Sequence, residues 1–263
     1  MARNQLLHRL REVIKYRSML YSLIMSELRT RYRASVLGFL WTFINPLLML
    51  IVYSIVFSII MRINMNHYSV FLFIGLLGWN MFATAVQSSS GVIIRQSSMV
   101  NKIYFPREIL PLSVVGGSVF NYILSLVVLI PVLFLYGYWP TWLWLFFPLI
   151  LLVGALMTAG FSLIFSALNV YFRDFEHMLG IFIMLWFYLT PIVYPISLIP
   201  KGYVNLIKLN PVVSVVLSLQ DIFYYHQPLR WRLFLYGSIF AVIIFITGWK
   251  LFDRLSRRFA EEV

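Results

Sequence analysis

Long stretches without a charged side chain constrain this chain more than any other feature. Residues 112–136 and 143–170 contain no Asp, Glu, Lys or Arg. A helix needs about 20 apolar residues to cross a ~30 Å hydrocarbon core, and several runs reach that length. In lipid a segment must satisfy its own backbone groups, which leaves helices and closed barrels. The alternating polar and apolar residues of a membrane strand are missing, so the expected fold class is an all-α, polytopic membrane protein. Composition agrees: 11% of the 263 residues are charged, mean hydropathy is +0.86, and soluble domains carry about 25% charge.

A formal net charge of +12 often points to nucleic acid, but its placement here points to a membrane. Eight Lys and Arg residues precede the first apolar run, three lie in 95–111, one in 171–177 and four from Lys250 onward. Only Arg62, Lys201, Lys208, Arg230 and Arg232 fall in the intervening segments. With six spans, the excess of Lys and Arg places both termini in the cytosol. Counting Val212 to Tyr225 as a seventh crossing would put the basic C-terminus outside, so six is the expectation. With no cysteine, disulfides and thiolate metal sites are excluded. No cleavable signal peptide is expected, because the first apolar run begins near Gly38 after a long basic lead.

The chain reads as one membrane domain. Residues 1–34 form an amphipathic interfacial helix. Leu6, Leu10, Val13, Ile14, Tyr21 and Ile24 recur at helical spacing, with Arg9, Arg11, Lys15 and Arg17 on other faces. Arg29, Arg31 and Arg33 follow; in a helix Arg29 and Arg33 share a face, either as a positive-inside anchor or as phosphate ligands. Spans one to five occupy 38–199, at about 38–60, 70–94, 112–136, 143–170 and 179–199. The first holds Asn45-Pro46 and the fifth is broken by Pro191 and Pro195. Gly154, Ala155, Thr158, Ala159 and Gly160 in span four suit close helix packing. Residues 200–230, split by Asn210-Pro211, form two pieces too short to cross and read as a re-entrant or outer-surface hairpin. Span six covers 233–251.

Two interruptions mix aromatic with charged residues. In 95–111, RQSSMVNKIYFPREILP, Pro106 ends or kinks any helix begun near Ser98, with Tyr104 and Phe105 before it and Arg107 and Glu108 after. This is either an ordinary cytosolic loop or a short helix lying on the membrane face and shaped to dock into a partner. The second interruption is Tyr171 to His177. All nine acidic residues lie at flanks or loops, whereas ion-coupled carriers place ionisable groups at the midplane. There is no Walker A loop, H-E-x-x-H or G-x-S-x-G. The four histidines share no metal-ligand spacing. No catalytic residue, metal site or cofactor is expected in this chain, and its energy source belongs to another.

Three stretches carry a resemblance. They are Arg29-x-Arg31-Tyr32-Arg33-x-Ser35-x-Leu37-Gly38-x-Leu40-Trp41 with Asn45-Pro46-Leu47-Leu48, Lys102 to Pro111, and Tyr171-Phe172-Arg173-Asp174. In their order and spacing the chain resembles bacterial polysaccharide ABC export permeases, over essentially its whole length. The resemblance implies a homodimeric permease in the cytoplasmic membrane, paired with two copies of a separate subunit that binds ATP and Mg. It implies an O-antigen or teichoic-acid class glycan on an undecaprenyl diphosphate carrier as substrate. Asn101, Lys102, Tyr104, Phe105, Pro106, Arg107 and Glu108 would then belong to the coupling helix, and Arg173 and Asp174 to a second ATPase contact. Residues 200–230 would form the outer gate. Aromatic rings can stack on the apolar face of a sugar, which makes Trp41, Tyr53, Phe57, Trp186 and Tyr188 channel candidates. An exporter of small lipids or drugs would instead show a compact apolar cavity, and an enzyme of glycan assembly would want paired carboxylates or a metal site.

Overall fold

A computed structural model describes residues 12–31, 40–56 and 65–262, and all regular structure among them is helical. Twelve α-helices follow in order: α1 (Arg17–Arg31), α2 (Trp41–Ser54), α3 (Tyr68–Ser90), α4 (Val92–Arg95), α5 (Ser97–Lys102), α6 (Ile109–Leu135), α7 (Phe147–Tyr171), α8 (Phe175–Tyr188), α9 (Lys201–Leu209), α10 (Pro211–Gln220), α11 (Trp231–Ser256) and α12 (Phe259–Glu262). A 3-10 turn, Trp142–Phe146, leads into α7, and a π turn, Asp221–Tyr225, continues α10.

Among the described residues four helices are long and apolar enough to cross a membrane: α3, α6, α7 with its 3-10 lead, and α11, or five if the bent pair over Gly202–Leu209 and Pro211–Tyr225 is one span. The four fall on the expected spans two, three, four and six. Helix α2 lies within expected span one, whose residues from 57 on fall outside the described ones. Expected span five is represented by α8, 14 residues, which at about 1.5 Å per residue covers ~21 Å, short of the hydrocarbon core. Proline explains where α8 stops: Pro191 has no N–H to donate and disfavours helical backbone at Thr190. The Thr190 hydroxyl turns back to the Trp186 carbonyl at 2.8 Å.

Between α9 and α10 the chain bends by 102° at Asn210. The Asn210 side chain caps α10 by accepting from the Val212 N–H at 3.1 Å, and accepts from the Trp186 indole at 2.8 Å. Both ends of this segment return to the start of α3. The Tyr68 hydroxyl donates to the Val193 carbonyl and the Tyr224 hydroxyl to that of Asn66. Residues 193–224 therefore leave and re-enter on one side, as a hairpin does, and α10 is buried along its whole length.

The deeply buried α3 is the central element. Helices α7 and α11 meet so closely that a Cβ on Gly160 would lie 2.7 Å from the backbone of Ile244 and Phe245. The small-residue stretch of span four is thus a helix-packing surface. A second core gathers at one end, where Val92, Ile93, Phe105, Ile109, Phe252 and Phe259 pack together.

Candidate functional site

Polar residues recur on single faces of three otherwise apolar helices. They are Thr42 and Asn45 on α2, Asn80 and Thr84 on α3, and Ser118, Asn121 and Ser125 on α6. Spacings of three, four and seven residues keep each set on one side of its helix. Where α2, α3 and α6 converge, these side chains line a cavity of about 540 Å³, with Trp41 and Tyr122 adding ring surface. Near mid-helix, the Asn80 amide donates to the Met49 sulfur at 3.4 Å and the Thr84 hydroxyl to the Asn80 carbonyl at 2.6 Å. The Ser125 hydroxyl donates to the Asn121 carbonyl at 2.9 Å.

Two lining hydroxyls, Thr42 Oγ1 and Ser118 Oγ, are buried and have no hydrogen-bond partner among the described residues. Leaving such a group unsatisfied costs about 1–3 kcal/mol. Among the described residues no charged side chain lines the walls. The polar groups suit a neutral partner that donates and accepts hydrogen bonds. Among the described residues, no three His, Cys, Asp or Glu side chains gather to hold a metal ion.

Of the aromatic channel candidates, Trp41 lines this cavity. Tyr53 is half-buried elsewhere on α2, and Tyr188 is 62% exposed. Trp186 is a pin at the base of the hairpin: its indole donates to Asn210, and its ring meets Phe82 and Phe161 edge-on, each at 5.2 Å. Phe57 lies outside the described residues, as do Arg33 and the side chain of Arg31; Arg29 is exposed near the end of α1. The polar residues other than Asn45 were not anticipated. Their signal is a sparse amide or hydroxyl at helical spacing within each run, and only the convergence of three helices makes it a site.

The two interruptions lie at one end of the molecule, bridged by an ion pair between Arg95 and Glu176 at 3.2 Å. The first divides by burial. Asn101, Lys102 and Tyr104 are exposed, Tyr104 at 82%, whereas Phe105, Pro106 and Glu108 are buried. Arg107 donates to the Ser256 carbonyl, and the Tyr171 hydroxyl to that of Leu255 at 2.9 Å. Arg173 and Asp174 are exposed beside Phe172. One surface thus presents both interruptions.

Apolar helices of crossing length, with a bent pair of shorter apolar helices between them, describe a polytopic membrane protein. The sequence profile described as ABC-2 type transporter matches residues 19–224, and the chain belongs to that family. It is 38% identical over 256 residues to the O-antigen export system permease protein RfbA of Myxococcus xanthus, covering 96% of this chain and 98% of that one. A Klebsiella pneumoniae protein of the same description is 36% identical, with 89% and 91% covered. The polysialic acid transport protein KpsM of Escherichia coli is 26% identical over 74% of this chain and 77% of its own.

Proposed function

We propose that this chain is the permease of an exporter that moves lipid-linked polysaccharide of the O-antigen class across the cytoplasmic membrane. The working unit is two copies of this chain with two copies of an ATP-binding subunit, which supplies the ATP and Mg. Both termini face the cytosol, where Asn101, Lys102, Tyr104, Arg173 and Asp174 offer the exposed docking surface. The buried Phe105, Pro106 and Glu108 hold that surface in place from behind. The carrier is undecaprenyl diphosphate, met at the cytosolic headgroups by the arginines near Arg29. The hairpin over 200–230 gates the opposite side.

The observation that supports this reading is the set of uncharged amides and hydroxyls that face one cavity within the spans, between apolar side chains. Sugar hydroxyls exchange hydrogen bonds with water for hydrogen bonds with such walls at small net cost. Full-length likeness to O-antigen permeases supports the same substrate class.

The test is glycan-stimulated ATP hydrolysis by the chain reconstituted with the ATPase encoded beside it. Asn80→Leu with Asn121→Leu should keep the complex assembled while lowering stimulation about tenfold, the worth of one or two hydrogen bonds. Stimulation equal to that of the unaltered complex would remove the cavity from the glycan path.

A further inference from the structure

At the end of α11 opposite the interruptions, a second cavity of about 590 Å³ opens between α9 and the start of α11. Lys208, Arg230 and Arg232 line it together with Asn205, Trp231 and Tyr236. We propose that this cavity binds the phosphate-bearing headgroup of an anionic lipid.

Charge is the first reason. Arg230 is committed to the buried Asp221 carboxylate at 3.2 Å, and the Gln227 amide donates to the same oxygen at 2.6 Å. Among the described residues neither Lys208 nor Arg232 has an ion-pair partner. Two uncompensated cations therefore face one cavity beside an arginine already held in place. Phosphate offers several acceptor oxygens to such a set, and arginine can meet two at once.

Depth is the second. Helix α11 runs 26 residues from Trp231 to Ser256, about 39 Å at 1.5 Å per residue, against a ~30 Å hydrocarbon core. Ser256 lies at the level of the interruptions, where Arg107 reaches it. The cavity at the other end is thus at headgroup depth, where an indole such as that of Trp231 is at home.

Shape is the third, and it separates a lipid from a free anion. Beside the cations α9 exposes Tyr203, Leu206 and Leu209, and along α11 the exposed side chains continue as Leu235, Ile239 and Ile243. A headgroup held by Lys208 and Arg232 has an apolar track for its chains; a soluble phosphate would have no use for it. The Tyr236 hydroxyl, donating to the Leu209 carbonyl at 2.7 Å, ties the two walls together.

The full chain, purified in an uncharged maltoside detergent, is titrated with phosphatidylglycerol, phosphatidylcholine and a polyprenyl diphosphate. Bound lipid is read by native mass spectrometry, with inorganic phosphate as competitor. Both anionic lipids should bind and phosphatidylcholine should bind far more weakly. Lys208→Gln/Arg232→Gln should lower affinity for the anionic lipids about tenfold or more, while Lys208→Arg/Arg232→Lys should retain it. Tighter binding of the diphosphate assigns the site to a glycan carrier, and equal binding assigns it to bulk anionic lipid; both support a headgroup site. Undiminished affinity in the glutamine pair, or phosphatidylcholine binding as well as phosphatidylglycerol, overturns the proposal. Displacement of lipid by inorganic phosphate at equal concentration overturns it as well.

Discussion

The two cavities are close in size, about 540 and 590 Å³, and opposite in chemistry. The one among α2, α3 and α6 sets amides and hydroxyls among apolar side chains, with no charge among the described residues that line it; the one at the start of α11 holds three cations. Depth accounts for the difference. A charge at the centre of a spanning helix costs about 2.5–3.5 kcal/mol on insertion scales, whereas a Lys or Arg near an anionic surface gains about 1 kcal/mol. A cavity in the middle of the spans is thus confined to neutral donors and acceptors, whereas one at headgroup depth can carry cations.

The comparison can be broken outright by locating the surfaces. A cysteine replacing Trp139, at the same end as the basic cavity, should label fully with an impermeant thiol reagent from outside the cell. One replacing Ser98, in the first interruption, should not label at all. With no native cysteine there is no background, and reversed labelling would invert the assignment of the two ends. Trp139 is a better probe than Gly137, whose φ of 81° would strain any other residue.

Placing a charge in the deep cavity should have the next largest effect. Ser118 is 3% exposed, so Ser118→Asp should cost roughly 3 kcal/mol and sharply reduce the fraction extracted as monodisperse protein. Ser118→Ala should leave that fraction intact, since the hydroxyl has no protein partner among the described residues. Arg232→Asp, at the other cavity, should change it by no more than about 0.5 kcal/mol. Normal recovery of Ser118→Asp would mean that the deep cavity behaves as bulk water.

The smallest effect concerns Arg29 and Arg33. If Arg29 and Arg33 meet a diphosphate as planar forks, replacing both with Lys should lower export by roughly threefold, and replacing both with Ala by more. For a topological anchor Lys and Arg are equivalent. Full export by the lysine pair, with orientation unchanged, would therefore leave anchoring as the sufficient role.

The long helices were legible because burial in lipid demands continuous apolar runs, and span six, expected at 233–251, is helical over Trp231–Ser256. The hairpin was legible from Asn210-Pro211, where a residue without a donor follows one that can cap. Span five was legible in place, and the break expected from Pro191 is found, its helix ending at Tyr188. The deep cavity was hidden for a different reason. Asn80 and Asn121 are each one polar residue in an apolar run, and nothing local says that two helices turn those faces toward each other. Burial within the first interruption was equally non-local, since Phe105 is covered by Phe252 and Phe259 from the far end of the chain.

Arg107 and Tyr171 come from different interruptions yet hold adjacent carbonyls, Ser256 and Leu255, on the last turn of one helix. That helix contains no proline along its 26 residues. At its other end it meets the hairpin, with Tyr236 against Leu209 and Gly237 against Ser214. Helix α11 is thus a continuous strut from both interruptions to the hairpin, braced along its length by α7 at Gly160 and Gly248.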